Sequence, residues 1–228
     1  MSSGQPALAI VDYGMGNLFS VLHAFAAVGQ KAEITSDPAR LAAAEGLVIP
    51  GVGAFGIAMQ VLERTGMADT VRERVAQGAP LVGICLGMQL MMSSSTEFGS
   101  HAGLGIIEGD TVALKASPEI SPGARIPHVG WSSVQPARQH DGWADTPLNG
   151  LAAGGEMYFV HSYYVRPADP GVVLAVSNYR GVTFCSSLVK GNVFGCQFHP
   201  ERSGVEGLEI YRRIAKAIRA GEPFGETR

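Results

Sequence analysis

Leu81-Val82-Gly83-Ile84-Cys85-Leu86-Gly87-Met88-Gln89-Leu90-Met91-Met92 holds the change from strand to helix around which the chain is arranged. Leu81 to Ile84 is a compact apolar run with the length of a buried strand. Leu86 to Met92 has no breaker after Gly87 and predicts a helix. Cys85 stands at the joint, with a glycine two residues to either side. Gly83-x-Cys85-x-Gly87 has the form of a nucleophile elbow with cysteine in place of serine. Such a turn is crowded, and glycine leaves room beside a nucleophile in a strained backbone. The helix N-terminus that follows favours thiolate. The same spacing also fits a buried core cysteine between a strand and a helix.

Working outward, Ala7 to Val11 reads as a buried strand ended by Asp12-Tyr13-Gly14-Met15-Gly16. Leu18, Val21, Leu22, Phe25 and Val28 recur at helical spacing, and Gly29 stops that helix. Strands are expected at Ala32–Thr35 and Leu47–Ile49, the second closed by Pro50-Gly51-Val52-Gly53. Two helices follow, near 54–64 and 67–77. Strand and helix in alternation imply a parallel sheet covered on both faces. A ligand site then belongs at the carboxyl ends of the strands. Cys85, the 50–53 loop and the 12–17 loop all fall at such ends.

After Gly99 the pattern changes to short strands with Gly and Pro turns, at 107–114, 157–165, 172–178, 182–189 and 193–198. The section 136–155 reads as loop. No linker divides the chain, so these strands extend the same sheet or pack beside it. A last helix is expected over Val205–Arg219, with Leu208, Tyr211, Ile214, Ala215 and Ile218 on one face. Ser203 is its expected N-cap, with Glu206 three residues on.

The composition fits one globular domain over 1–228. Of 228 residues 46% are hydrophobic and 16% charged, enough for a substantial core. A net charge of −3 without long runs of one sign argues against nucleic acid or an acidic membrane surface. Three cysteines without a CxxC fit a reducing cytosol better than a disulfide framework. No apolar run approaches a membrane span, and the first residues lack the regions of a signal peptide. Residues 1–6 are expected to be a short disordered lead-in.

Gly51-Val52-Gly53-Ala54-Phe55-Gly56 matches GxGxxG. A dinucleotide site also needs an acid at the end of the next strand, and that strand ends at Cys85. A glycine loop beside a nucleophile has another use, because its N–H groups can face an oxyanion. In Gly195-Cys196-Gln197-Phe198-His199-Pro200-Glu201, His199 and Glu201 leave the same face of an extended chain. Pro200 biases His199 toward that geometry. Thiol, imidazole and carboxylate are the parts of an activated nucleophile. Taken alone, His199 beside Glu201 is also an ordinary surface or capping pair. His128, His161 and His199 make no ligand-spaced set, so no metal is expected.

GICLGMQ at 83–89 with FHPE at 198–201 resembles the class I (triad) glutamine amidotransferases. DYGMGNL at 12–18, PGVGAF at 50–55, PHVGW at 127–131, YFVHSYY at 158–164 and QFHPERSG at 197–204 narrow the likeness. Together they resemble the glutaminase subunits of imidazole glycerol phosphate synthases, over nearly the whole chain. The resemblance implies a flavodoxin-like α/β fold, a mostly parallel central sheet flanked by helices, with added antiparallel strands in the C-terminal half. It implies a cytoplasmic enzyme that hydrolyses glutamine to glutamate and ammonia without a cofactor. Ammonia would pass to a (β/α)₈-barrel cyclase partner, giving imidazole glycerol phosphate and AICAR in histidine biosynthesis.

By that resemblance Cys85 is the nucleophile, His199 the base and acid, and Glu201 its orienter. The N–H of Leu86 and one from Gly51, Val52 or Gly53 form the oxyanion hole. Gln89 and Glu97 hold the amino-acid end of glutamine. Trp131 and Arg202 lie at the partner interface, where a cation–π pair between them would form a gate. Arg202 and Ser132 depart from the lysine and asparagine common in the family. A pyridoxal phosphate synthase glutaminase is disfavoured by DYGMGNL and PHVGW. A silent regulatory subunit is disfavoured by the intact Cys85, His199 and Glu201.

Overall fold

The computed structural model describes residues 8–137 and 143–225. The expected lead-in at 1–6 lies outside them, as does the 138–142 part of the expected loop. The N-terminal half contains β1 (Leu8–Val11), α1 (Leu18–Ala27), β2 (Ala32–Thr35), α2 (Pro38–Ala43), β3 (Leu47–Ile49), α3 (Phe55–Arg64) and α4 (Met67–Ala76). Then come β4 (Leu81–Ile84), α5 (Leu86–Leu90), β5 (Met92–Ser95), β6 (His101–Ala102), β7 (Ile107–Ala113), β8 (His128–Ser133) and β9 (Gln135–Pro136). The chain closes with β10 (Glu156–His161), β11 (Tyr163–Pro167), β12 (Val173–Tyr179), β13 (Val182–Lys190), β14 (Val193–Cys196) and α6 (Gly204–Ala220).

Among the described residues the main sheet runs β2-β1-β3-β4-β14-β13-β12-β9. Its first five strands are parallel and the rest antiparallel. A smaller sheet orders β11-β7-β5-β6, and β10 pairs with β8 alone. The central strands are buried on both faces, which is why they read as unbroken apolar runs. On β1, Ala9 and Val11 join one core with Leu41, Phe55, Leu62 and Val71 from α2, α3 and α4. Leu8 and Ile10 join the other, with Val21 and Phe25 from α1 and Ile210, Tyr211 and Ile214 from α6. No helix among the described residues is long and apolar enough to cross a membrane.

Several boundaries differ from expectation, each for a tertiary reason. The helix expected over Leu86–Met92 ends at Leu90, because the 104–106 backbone takes its last carbonyls: Leu104 N–H donates to Leu90 (2.8 Å) and Ile106 N–H to Met91 (2.9 Å). The run 157–165 breaks at Ser162, so β10 pairs with β8 and β11 with β7. The run 193–198 leaves the ladder after Cys196; Gln197 N–H then donates to Ser186 (2.9 Å) and His199 N–H to Tyr158 (2.8 Å). Helix α2 was legible in Asp37-Pro38, since Asp37 accepts from the Ala39 N–H and Pro38 occupies the first turn. Strands β5, β6, β8 and β9 lie beyond the sequence pattern.

Ser203 precedes α6 but does not cap it with its side chain. Its hydroxyl donates to the His199 carbonyl (2.7 Å) and accepts from the Tyr158 N–H (3.0 Å). The expected capping box with Glu206 is therefore absent. The hydroxyl instead ties the turn after His199 to β10.

Helix α6 rests directly on that turn. A Cβ added at Gly207 would meet the Pro200 carbonyl oxygen at 1.9 Å, so only glycine allows the approach. Gly207→Ala should cost about 2 kcal/mol or more, lowering the urea midpoint. Val205→Ala, at an exposed site on the same helix, should stay within about 0.5 kcal/mol. Equal midpoints for the two variants would contradict this packing.

Candidate active site

Cys85 joins β4 to α5 with φ 53° and ψ −109°. A residue with a Cβ avoids this region, and surrounding contacts must hold it there. The Cys85 N–H donates to the Cys196 carbonyl at 2.7 Å. A Cβ on Gly83 would lie 2.5 Å from Met91 Cε and 2.8 Å from the Gly87 carbonyl carbon, and one on Gly87 would lie 1.8 Å from the Ile49 carbonyl oxygen. The crowding expected around the elbow is thus present on both sides. Helix α5 spans only five residues. Its dipole is shorter than the sequence suggested, and the main charge facing the sulfur is His199.

Because β14 lies beside β4, with Cys196 opposite Ile84, the chain leaving β14 runs next to the elbow. His199 has the expected extended geometry, with φ −104° and ψ 93°. Its Nδ1 meets Glu201 Oε1 at 2.7 Å, with side chains only 3% and 1% exposed. Burial alone would lower the pKa of His199. The charge of the nearby Cys85 sulfur, then the hydrogen bond and charge of Glu201, together outweigh burial and push it up to about 10. The contact of Nε2 with the sulfur falls outside ordinary hydrogen-bond geometry, as is common before substrate binds. The structure thus gathers Cys85, His199 and Glu201 from two strand ends.

A cavity of about 230 Å³ opens over Cys85, lined by Val52, Gly53, Leu86, Gln89, Glu97, Tyr163 and the 160–162 backbone among others. Glu97 accepts a hydrogen bond from the Phe55 N–H, which ties it to the start of α3. Gln89 also borders the cavity, but its amide nitrogen is occupied. It donates to the Tyr163 carbonyl (2.9 Å) and to Gln197 Oε1 (3.1 Å). Only its oxygen remains for a ligand. A larger depression of about 1180 Å³ reaches Lys190, Arg213 and Lys216. Lys190 ends β13 beside Val193 and Leu81, at the end of the strands opposite Cys85.

The 50–53 loop packs against Leu86. The Leu86 N–H donates to the Gly51 carbonyl at 3.4 Å, so an acceptor stands where an oxyanion would need a donor. Tyr13 anchors the loop through a hydrogen bond from its hydroxyl to the Pro50 carbonyl. Burial foremost, then the charge of Cys85, raises the pKa of that hydroxyl far above the usual phenol range.

His161 and His128 form a second, neutral histidine pair. His161 Nδ1 faces the Tyr163 carbonyl (2.9 Å) and must donate. Its Nε2 then accepts from His128 Nδ1 (2.9 Å), and His128 Nε2 accepts from the Ser132 hydroxyl (2.9 Å). Burial lowers His128 to about 4; burial and then the neighbouring His128 lower His161 to about 3.

At the rim the expected Arg202–Trp131 pair is not formed. The Arg202 guanidinium lies 4.5 Å above the Tyr158 ring. Trp131, half exposed, meets the Tyr158 ring edge-on, with ring centroids 6.0 Å apart. Tyr158 intervenes because β10 pairs with β8 and sets it opposite Trp131. Sequence reasoning gave no site role to Tyr13 or Gln197. Gln197 was detectable as a polar residue within the apolar run leading to His199.

A family model described as glutamine amidotransferase class-I matches residues 9–216. The imidazole glycerol phosphate synthase subunit HisH of Rhodopirellula baltica is 44% identical over 210 residues, covering 92% of this chain and 97% of that protein. The subunit of the same description from Moorella thermoacetica is 42% identical over 212 residues, covering 93% and 95%. Among solved structures, PurLQS from Thermotoga maritima superposes with a TM-score of 0.71 at 20% identity, over 94% of this chain and 100% of that one. A structure described as a glutamine amidotransferase gives 0.71 at 20% identity, over 93% and 99%. At that identity the structures carry the fold alone, and both share the α/β architecture described above.

The raised pKa of His199 depends chiefly on the charge of Cys85, so Cys85→Ala should bring it down by roughly 1–3 pH units. An NMR titration of ring-labelled histidine checks this. An unchanged midpoint would mean that the sulfur's charge does not reach His199.

Proposed function

The chain belongs to the class I glutamine amidotransferase family, and we propose that it is the glutaminase subunit of an imidazole glycerol phosphate synthase. The observation that carries the chemistry is a buried imidazole set between the Cys85 thiol and the Glu201 carboxylate, at the floor of a small cavity. The reading takes Cys85, His199 and Glu201 as its triad and the whole chain as one catalytic domain.

Cys85 Sγ attacks the carboxamide carbon of glutamine, and the carbonyl electron pair moves onto oxygen. The protonated Nε2 of His199 gives its proton to the leaving nitrogen as the C–N bond breaks. Ammonia departs and a thioester remains. Neutral His199 then takes a proton from water, which attacks the thioester, and the sulfur leaves as thiolate. Glutamate is released. Glu201 holds the ring in one orientation and stabilises the imidazolium. In this reading Glu97 and the free oxygen of Gln89, which line the cavity, take the ammonium group of glutamine.

The oxyanion needs the Leu86 N–H and a second donor. Rotating the Gly51–Val52 peptide removes the Gly51 carbonyl from Leu86 and presents the Val52 N–H in its place. Val52 is 43% exposed, so a partner that covers it has a surface through which to drive the rotation. Trp131, with Arg202 acting through Tyr158, forms the partner-facing rim in this reading, and the partner is the barrel cyclase that consumes ammonia. Three free, buried cysteines suit a reducing, cytoplasmic setting.

Cys85→Ala should abolish glutamine-dependent product formation while the assembled synthase still uses added ammonium salts; retained glutamate release would refute the nucleophile. The wild-type chain alone should hydrolyse glutamine slowly. Adding the cyclase with its nucleotide substrate should raise glutamate release about 100-fold or more, the effect of supplying a missing oxyanion donor. Full activity in the isolated chain would reject the peptide rotation.

A further inference from the structure

Gln197 is fully buried, next to the nucleophile, and the triad does not use it. Its carboxamide makes two contacts: Oε1 accepts from Gln89 Nε2 at 3.1 Å, and Nε2 lies 3.5 Å from Cys85 Sγ. Which end of the amide faces the sulfur follows from one backbone group. The Tyr163 carbonyl can only accept. The Gln89 atom 2.9 Å from it must therefore be nitrogen. The second hydrogen of that nitrogen points at Gln197, so the Gln197 atom there must be oxygen. Its nitrogen is left facing Cys85. A buried amide N–H needs an acceptor, and the sulfur supplies it. An anionic sulfur accepts more strongly than a neutral thiol, so the bond favours the attacking thiolate and the thiolate that leaves the thioester.

We propose that Gln197 is a thiolate-stabilising donor to Cys85, with its polarity set by the Tyr163 carbonyl through Gln89. The proposal rests on Cys85 being the nucleophile of the reading above. It adds a second donor to the sulfur besides His199, one that carries no charge and does not titrate. It also gives Gln89 a role beyond the cavity it lines.

The test is alkylation of Cys85 by iodoacetamide, read by peptide mass spectrometry in the full chain at pH 7 and pH 10. The ratio of the two rates cancels changes in access to the sulfur. Gln197→Met keeps the bulk and removes the donor; the pH 7 to pH 10 ratio should fall about fivefold. Gln89→Met leaves Gln197 intact and adds no charge but cannot donate to either partner, so the Gln197 amide loses its fixed orientation and the ratio should fall in the same direction. It also stands in for Gln197→Met if that variant does not fold. Ratios within twofold of wild type in the folded variants would overturn the proposal. Alkylation is independent of glutamine turnover. A lowered ratio in a chain that never hydrolyses glutamine would leave this inference standing and remove the functional reading; the reverse pattern would do the opposite.

Discussion

The backbone of Cys85 sits at φ 53°, where a residue with a side chain does not rest unless packing holds it. Everything around the site serves that constraint. Gly83 and Gly87 are glycine because Met91, the start of α5 and the Ile49 carbonyl already fill the space a Cβ would need. The Cys196 carbonyl fixes the Cys85 amide, and Cys196 lies one strand over because β14 runs parallel to β4. The bond that restrains Cys85 thus comes from the strand that leads to His199 and Glu201. The sheet order is what brings the three side chains together.

Charge around the sulfur is divided between two kinds of histidine. His199 is buried yet held protonated by its neighbours, whereas His161 and His128 are buried and held neutral. The difference lies in their partners. His199 sits between a thiol and a carboxylate. The other two end on a backbone carbonyl and a hydroxyl, neither of which compensates a positive charge. The Tyr163 carbonyl accepts from both His161 and Gln89. One backbone group therefore sets a ring tautomer on one side and an amide orientation on the other.

The parallel half of the sheet was legible in the chain. Strands β1, β3 and β4 are local apolar runs and helices α1, α3 and α4 carry apolar residues at helical spacing and stop at glycines or just before them, and their pattern survives folding almost unchanged. The antiparallel half was less so. Strands β8 and β10 have alternating burial and exist through each other, and the break at Ser162 follows from β11 joining a different sheet. Helix α5 lost its last residues to carbonyl acceptors claimed by a loop more than ten residues downstream. Ser203 had the spacing of a cap, yet the Tyr158 N–H and the His199 carbonyl took its hydroxyl.

By itself the sequence marked the elbow, the three side chains proposed as the triad and the family's class of chemistry, because glycine spacing and residue type are local properties. Tertiary structure alone decided what those groups meet. It set Tyr158 rather than Trp131 under Arg202, occupied the nitrogen of Gln89, aimed Gln197 at the sulfur and turned the Gly51 carbonyl toward Leu86. Hydrogen bonds and ring contacts of this kind depend on direction within ångströms, between residues as far as 112 positions apart. That geometry is fixed by how strands and turns pack together, and the spacing of residues along the chain does not encode it.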